Sequence, residues 1–571
     1  MKKTGLTIIL TVLAAVAVHG QSAYEACLFS RNSYEGTARS AAMGNAFTAL
    51  GGDIGSVGLN PAGSAVAGHS QFSITPSISI SSSTAGGVLP EGSNTLQYFE
   101  KTYRNNQARF GIPNFGMTMN FDTGRRSGLK TFSMGFIINR TDSWNENIYA
   151  NGTNYTTSFA AAAADDATQN IKAYNMPGVL PAGEPRYSYL DFTNENAYNY
   201  YYPWKDIVGY RGGLFTQFDD AGEKFIGATE VLYDNGDIQQ GGPVNQTYGR
   251  SIEGNKYEYI FNLGANISDF IYIGFNLGLN TISYDSNEYF KENAVDYNDF
   301  VTEFIDGNDV RHTTYFKNLI YKYGYSASGT GFYGKFGVIV TPGNGLRIGA
   351  AIQTPTAMTI QEEWYESAST EYTDQQFSSS AKSPVGESRY TFRSPLRANF
   401  GIAYTLGRFA AISADYELAD YGGMKYKVDE YSMSDEDLRH FDTVNDDIKN
   451  AYGIAHQFRI GAEVKPWSQV ALRAGYNLAT SAQDRYYDVM SEEYLKQPLE
   501  RRHSISFGAG FSSKKSFFAD LAVMHSFAQS EYYMPYSDYQ YDIDGYLVNY
   551  SPEILIKTSA WRVMFTLGWR F

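Results

Sequence analysis

Strand-length stretches in which large apolar residues recur at every second position run through this 571-residue chain, and no apolar run after residue 20 is long enough to cross a membrane as a helix. The ending "WRVMFTLGWRF" shows the pattern most plainly. Trp561, Val563, Phe565, Leu567, Trp569 and Phe571 alternate with Arg562, Met564, Thr566, Gly568 and Arg570. Successive side chains of a strand point to opposite faces, so this strand has one apolar face and one mostly polar face. Paired versions of the pattern recur in "FGVIVTPGNGLRIGAAI", "FGIAYTLGRFAAISADYEL", "FRIGAEVKPWSQVALRAGYNL" and "ISFGAGFSSKKSFFADLAVMHSF". Another pair joins Tyr259–Ile267 to Ile271–Leu279. Each pair reads as a hairpin with a short polar or Pro/Gly-bearing turn.

Between the hairpins lie long stretches rich in Tyr, Asp, Asn and Ser, near 285–329, 357–389, 421–455, 481–502 and 529–558. Short turns alternating with long loops, joined by strands of about ten residues, are the layout of an outer-membrane β-barrel. The apolar face then meets lipid, the other face meets the lumen, and closure leaves no strand edge exposed to lipid. A soluble sandwich or propeller does not account for long loops confined to one side. The expected fold is therefore an all-β, transmembrane antiparallel barrel in the outer membrane of a Gram-negative cell.

Three strands precede the hairpins: "QFSITPSISIS", "NFGMTMNF" and "TFSMGFIINR". With the five hairpins and the closing strand they make fourteen. The segment 206–234 would add a pair and make sixteen. Its alternation is poor, so it is assigned to a partly helical excursion from 141 to about 255. An even count leaves both ends in the periplasm, with the last strand paired to the first. The terminal Phe571 resembles the signal that the outer-membrane assembly machinery reads.

Lys2 and Lys3 precede an apolar run from Leu6 to Val18, with Val18 and Gly20 small enough to flank a cleavage site. Residues 1–20 are read as a signal peptide. A net charge of −15 argues against a nucleic-acid partner, and Cys27, the single cysteine, allows no internal disulfide. The segment "GTARSAAMGNAFTALGGDIGSVGLNPAGSA" (36–65) is dense in small residues and lacks strand alternation. Such a composition suits close packing in a confined space, so residues 21–69 are expected to form a periplasmic-side hatch, or plug, within the lumen of a barrel spanning 70–571. The turn Asn60-Pro61-Ala62-Gly63 is the candidate gate.

Residues Gly36 to Gly63, with Arg39, "AMG", Ala46-Phe47, Ala49-Leu50 and "NPAG", resemble the amino-terminal hatch of the long-chain fatty-acid outer-membrane transporter family of FadL/TodX type. "IPNFGMTMNF", "GTGFYGKFGVIVTPGNGLRIGAAIQTP" and "SPLRANFGIAYTLGRFAAISADYELADY" resemble versions found in Bacteroides-like bacteria. Departures are Asn45, where members often have Gly, and "GGDIGS", where many carry adjacent acids. The resemblance implies a fourteen-stranded barrel with a hatch, and passive uptake of hydrophobic small molecules such as long-chain fatty acids. It also implies diffusion from outside through an apolar pocket and a lateral gap beside an inward kink in the third strand, for which Gly135 is the candidate position.

No catalytic constellation stands out: there is no HExxH pair and no GxSxG elbow, and "GTGFYG" (329–334) precedes a strand rather than a helix. No enzyme activity, cofactor or metal is expected. The acidic stretches "DNGD" (234–237) and "IDGND" (305–309) read first as solvated loops, with Ca²⁺ binding through carboxylates and carbonyls as the alternative. Expected partners are a hydrophobic ligand, outer-membrane lipid and the assembly machinery. Two other readings stay open: a secretion-associated barrel of the same family that binds a protein partner, and an adhesin-like structural barrel.

Overall fold

The computed structural model describes residues 22–571 apart from 89–97, 174–189, 191–202, 219–222, 234–235, 306–309, 428–434, 489–492, 498, 515 and 542–546. The leader 1–20 and most of the two acidic stretches lie outside the described residues.

Fourteen antiparallel strands close into one barrel. They are β1 (Gln71–Gly87), β2 (Tyr103–Asp122), β3 (Leu129–Asn154), β4 (Val244–Ile267), β5 (Ile271–Ala294) and β6 (Arg311–Gly343). Next come β7 (Leu346–Gln353, continued by Ala357–Tyr372), β8 (Gly386–Arg393, continued by Leu396–Leu406) and β9 (Ala410–Asp420, continued by Lys425–Lys427). β10 (Ile454–Trp467), β11 (Val470–Thr480), β12 (Arg501–Ser512), β13 (Phe517–Tyr533) and β14 (Ile554–Arg570) complete the wall. β14 pairs with β1 from Gln71↔Arg570 to Gly87↔Ile554, as expected for a closed barrel.

The alternation holds where oil requires it. Phe132, Met134 and Phe136 of β3, Phe261 and Leu263 of β4, and Trp561, Phe565 and Trp569 of β14 are exposed on the outer face. Their neighbours Met564 and Thr566 are fully buried inside. Met117 belongs to the outward set with Phe115, Met119 and Phe121, because Asn114, Gly116 and Thr118 alternate with them toward the interior. These methionines therefore face lipid rather than a ligand.

Above the apolar band the sequence reading needs correction. β6 is 33 residues long, whereas about 9–11 tilted residues cross a bilayer. Much of what read as long loops continues as strand beyond the membrane. With water on one side and polar contacts on the other, both faces there are polar, and the period of two disappears. The excursion from the wall likewise runs from 155 to 243 rather than 141 to 255, since β3 and β4 stay paired up to Asn154↔Val244. The described residues of segment 206–234 supply no wall strands. They hold a helix and short hairpins that pack over the extracellular mouth.

The lumen is filled from below by the amino-terminal segment, made of α1 (Ala23–Ser30), α2 (Ala38–Ala42), a 3-10 turn (Ile54–Gly58) and α3 (Gly63–Val66). Ser22 and Thr37 start α1 and α2 with reciprocal capping boxes, which satisfy the free amides of these short helices. Above it, α4 (Phe159–Ala173) and α5 (Trp204–Arg211) form a cap whose Phe159, Ile171, Ile207 and Val208 are buried against the upper strands.

Candidate functional site

Two prolines lie beside each other in the wall, Pro76 of β1 and Pro113 of β2. Proline cannot donate to a ladder and is confined in sheets to edges and bulges. The register slips there: Thr75 faces Asn114, but Ser77 faces Gly111, so two residues of β2 oppose one of β1. On the other side of β2 the consequence is larger. β2 and β3 pair only from Asp122↔Thr131 up to Asn114↔Asn139. Above that level β2 has no ladder with β3.

β3 leaves the wall at this height. Arg140 pairs with Tyr257 and Asp142 with Lys256, so Thr141 is an extra residue, a β-bulge. Below the bulge the odd-numbered residues face inward. Above it the even-numbered Trp144, Ile148 and Ala150 are buried. The upper half of β3 lies against the lumenal faces of its former neighbours. Asn145 Nδ2 donates to Ser81 Oγ of β1 at 3.2 Å, and Thr558 Oγ1 of β14 donates to Glu146 at 3.2 Å. The result is a lateral gap in the wall between upper β2 and the inward-displaced β3–β4 pair. Among the described residues only side-chain contacts bridge it: Arg109 donates to the Trp144 carbonyl (3.1 Å) and to Glu253 of β4 (2.9 Å), Gln107 to Glu253 (3.4 Å), and Asn145 to the Gln107 carbonyl (3.4 Å).

Gly135, the candidate kink, pairs with Thr118 and Asn262 without interruption. The irregularity of the third strand lies at Thr141, six residues further on. A Cβ at Gly135 would meet Ile137 and Thr118 and no part of the plug.

Inside the gap the surroundings are aromatic. Trp144 packs edge-on against Phe29 of α1 (6.4 Å between centroids) and Tyr284 of β5 (5.3 Å). Tyr325, Tyr390, Phe392 and Tyr426 extend the same cluster, with Met358 and Ile360 among them. Tyr24 at the start of α1 keeps 54% of its surface exposed. Burial pushes the Cys27 thiol up to about 11, which leaves it protonated and unreactive near neutral pH.

The plug is tied to the wall directly under the gap. The backbone N–H of Ser33 donates to the Thr141 carbonyl, and that of Glu35 donates to the Arg140 carbonyl at 3.4 Å. The Glu35 carboxylate accepts from Arg140 at 2.6 Å and lies 3.0 Å from Arg562. Lys256 Nζ of β4 donates to the carbonyls of Phe29 (2.7 Å) and Arg31 (3.1 Å), satisfying the carboxyl end of α1. Lys335 of β6 does the same for Gly58 at 2.6 Å.

The turn Asn60-Pro61-Ala62-Gly63 lies deep in the lumen, fully buried. Asn60 Nδ2 donates to the carbonyls of Thr48 (2.7 Å) and Val338 (3.1 Å), while its Oδ1 accepts from the Ala62 N–H at 3.1 Å. Inward-facing strand glycines leave room for this backbone. A Cβ on Gly274 would stand 2.2 Å from the Pro61 carbonyl carbon, and one on Gly337 2.0 Å from Asn60 Oδ1. Gly349, Gly461 and Gly475 make similar space for Thr48, Met43 and Gly44. Phe571 exchanges backbone hydrogen bonds with Ser70 (3.0 and 3.2 Å), sealing the rim beside the first strand, and its ring is 66% exposed.

No family model and no curated protein matches the chain. Solved structures do. The chain is similar to a Pseudomonas aeruginosa FadL homologue at 10% identity and a TM-score of 0.47, over 94% of this chain and 98% of that one. It is similar to the Pseudomonas putida toluene transporter TodX at 11% identity and a TM-score of 0.45, over 95% and 100%. The CymD monoaromatic hydrocarbon channel matches at 9% identity and a TM-score of 0.42, over 94% and 97%.

Sequence reasoning did not single out Thr141, Glu35, Arg140 or Trp144. The paired prolines in "TPS" and "IPN" were the available signal for a break in the wall at this height.

Proposed function

We propose that this barrel is an outer-membrane channel for passive uptake of hydrophobic small molecules, long-chain fatty acids or similar, of the FadL/TodX type. The observation that carries the reading is the end of the β2–β3 ladder at Asn114↔Asn139, which opens the wall onto an aromatic interior. The cap packs over the axial mouth, so a molecule that has partitioned into the outer leaflet reaches the interior through the side. Each methylene moved from water to an apolar site gains about 0.8 kcal/mol, and aromatic walls with Met358 beside them accept varied shapes. From there the ligand meets the plug, whose Asn60–Gly63 turn acts as the inner gate. Phe571 serves assembly rather than transport.

Cross-linking the gap tests the reading. Gln107 Nε2 lies 3.4 Å from Glu253 across it. In a Cys27→Ser background, Gln107→Cys and Glu253→Cys joined by a short cleavable bis-maleimide should abolish uptake of a fluorescent fatty acid, and cleavage of the linker should restore it. Full uptake by completely cross-linked protein would rule out lateral entry.

A further inference from the structure

The short-turn end of the barrel holds a cavity of about 230 Å³ between the plug and the wall, unlike the rest of the interior in its charge. Its floor is plug backbone at Leu50–Gly52 and Val66–Ala67, and its wall comes from β7, β8, β9 and β10. Arg39, Arg347, Arg408 and Lys465 line it with four positive charges, against the single carboxylate of Glu463. That carboxylate is already committed: Arg39 donates to it at 3.1 Å and Arg473 at 2.6 Å. Lys465 stands further off, at 3.7 Å. Among the described residues, Arg347 and Arg408 have no carboxylate within ion-pair distance. Arg347 donates only to the Leu50 carbonyl (2.5 Å), which orients its guanidinium beside the cavity. His69 completes the lining with a buried Nε2 that has no hydrogen-bond partner.

Such an arrangement in a chain of net charge −15 is a local inversion of sign. Unpaired cations facing a concave, partly desolvated space attract one compact oxyanion, and charge-assisted hydrogen bonds to it are about twice as strong as neutral ones. The cavity reaches the turn carrying Gly407 and Arg408, on the periplasmic rim. We propose that it is an exit-side binding site for the oxyanion headgroup of an amphiphile, a carboxylate above all, which holds the head at the rim while the tail clears the plug. The proposal rests on the channel reading for its purpose but not for its binding chemistry.

The test uses full-length protein in nanodiscs and octanoate labelled with ¹³C at the carboxyl, followed by line broadening, with octanol and inorganic phosphate as separate arms. Arg408→Gln with Lys465→Gln removes two charges at the open side without touching the contacts that seat the plug. The half-saturating octanoate concentration should rise about tenfold or more, as expected for losing charge-assisted contacts. Arg125→Gln with Arg126→Gln, on another rim turn, should match wild type, and octanol should bind all forms alike. Displacement of octanoate by phosphate would assign the site to oxyanions in general; no displacement would assign it to the amphiphile. Equal broadening in wild type and R408Q/K465Q overturns the site. Persistent uptake through a cross-linked gap, with octanoate binding intact, would instead overturn lateral entry alone.

Discussion

Glu35 of the plug and Arg140 of β3 form a buried ion pair at 2.6 Å, on the strand residue that immediately precedes the Thr141 bulge. The plug thus grips the wall where the wall opens. Arg562 of β14 also faces Glu35, so one carboxylate offsets two buried guanidinium groups. Glu35→Gln leaves both unneutralised, and breaking a buried pair in this way costs about 3–5 kcal/mol. Amide exchange at Ser33 and Glu35 should speed up at least tenfold, and ion conductance in planar bilayers should rise. Glu35→Gln with Arg140→Gln should recover part of the loss, since the pair is coupled. Unchanged exchange in the single variant would show that the pair does not hold the plug.

Deleting Thr141 should close the gap. A bulge residue removed from a strand restores continuous alternation, so Trp144 and Ile148 still face inward while the bend disappears. The β2–β3 ladder is then free to extend above Asn114↔Asn139. Fatty-acid uptake should fall severalfold at normal surface abundance. Uptake at the wild-type rate would mean that the bulge is not what opens the wall.

The closing strand gives a prediction that the structure revises. Facing alone says that Phe565→Arg, on the lipid face, harms folding by about 2–4 kcal/mol and Thr566→Arg much less. Yet Thr566 is fully buried, and its Oγ1 accepts from the Ala38 N–H at 2.8 Å. Thr566→Arg should therefore assemble in the membrane but expel α2, raising conductance, whereas Phe565→Arg should lower the yield of inserted barrel. Equal insertion yields of the two variants in vesicles would count against the facing.

The cap should loosen as pH rises. Burial pushes the Asp206 carboxyl of α5 up to about 7, and burial likewise pushes Glu230 up to about 7. The folded cap then binds more protons than the unfolded one between about pH 4 and 7, so its stability is greatest at the acid end and declines through that window. Amide exchange in α5, corrected for the intrinsic rate, should be slower at pH 6 than at pH 8. Asp206→Asn keeps a partner for Asn170, which now bonds Asp206 at 2.8 Å, and should flatten part of this dependence. An identical profile in D206N would exclude Asp206 as the source.

The wall was legible because lipid on one side enforces a period of two, as at Trp561–Phe571, and the strand count of fourteen followed from it. The gap was not. One extra residue in "NRTDSW" only shifts the phase of the alternation, and a strand that then turns inward looks in sequence like a loop. Lys256 and Lys335 were equally hidden, because an inward charge reads as the lining of a watery pore. Here each meets plug carbonyls contributed by residues more than two hundred positions away. Small-residue density did announce the plug. What it could not announce was the matching set of wall glycines, since glycines are common in strands for other reasons.

Those glycines carry the last prediction. Gly63 begins α3 with ordinary helical geometry, and a Cβ there would meet Ser56 Oγ at 3.1 Å, a contact that a small shift relieves. The intolerant positions are on the wall. At Gly337 a side chain would overlap Asn60 Oδ1 and crowd Pro61, and at Gly274 it would overlap the Pro61 carbonyl, in both cases against a turn held by three backbone carbonyl contacts of Asn60. Gly337→Val or Gly274→Val should thus unseat the NPAG turn while leaving the strand ladders intact, because valine suits a strand. β-content and surface abundance should stay at the wild-type level, with raised conductance and altered fatty-acid uptake. Gly334→Val is the control: a Cβ there has only the Phe275 ring near it, at 3.7 Å, and no plug atom. If Gly337→Val and Gly334→Val conduct alike, the turn is not seated by these contacts and the plug is gated elsewhere.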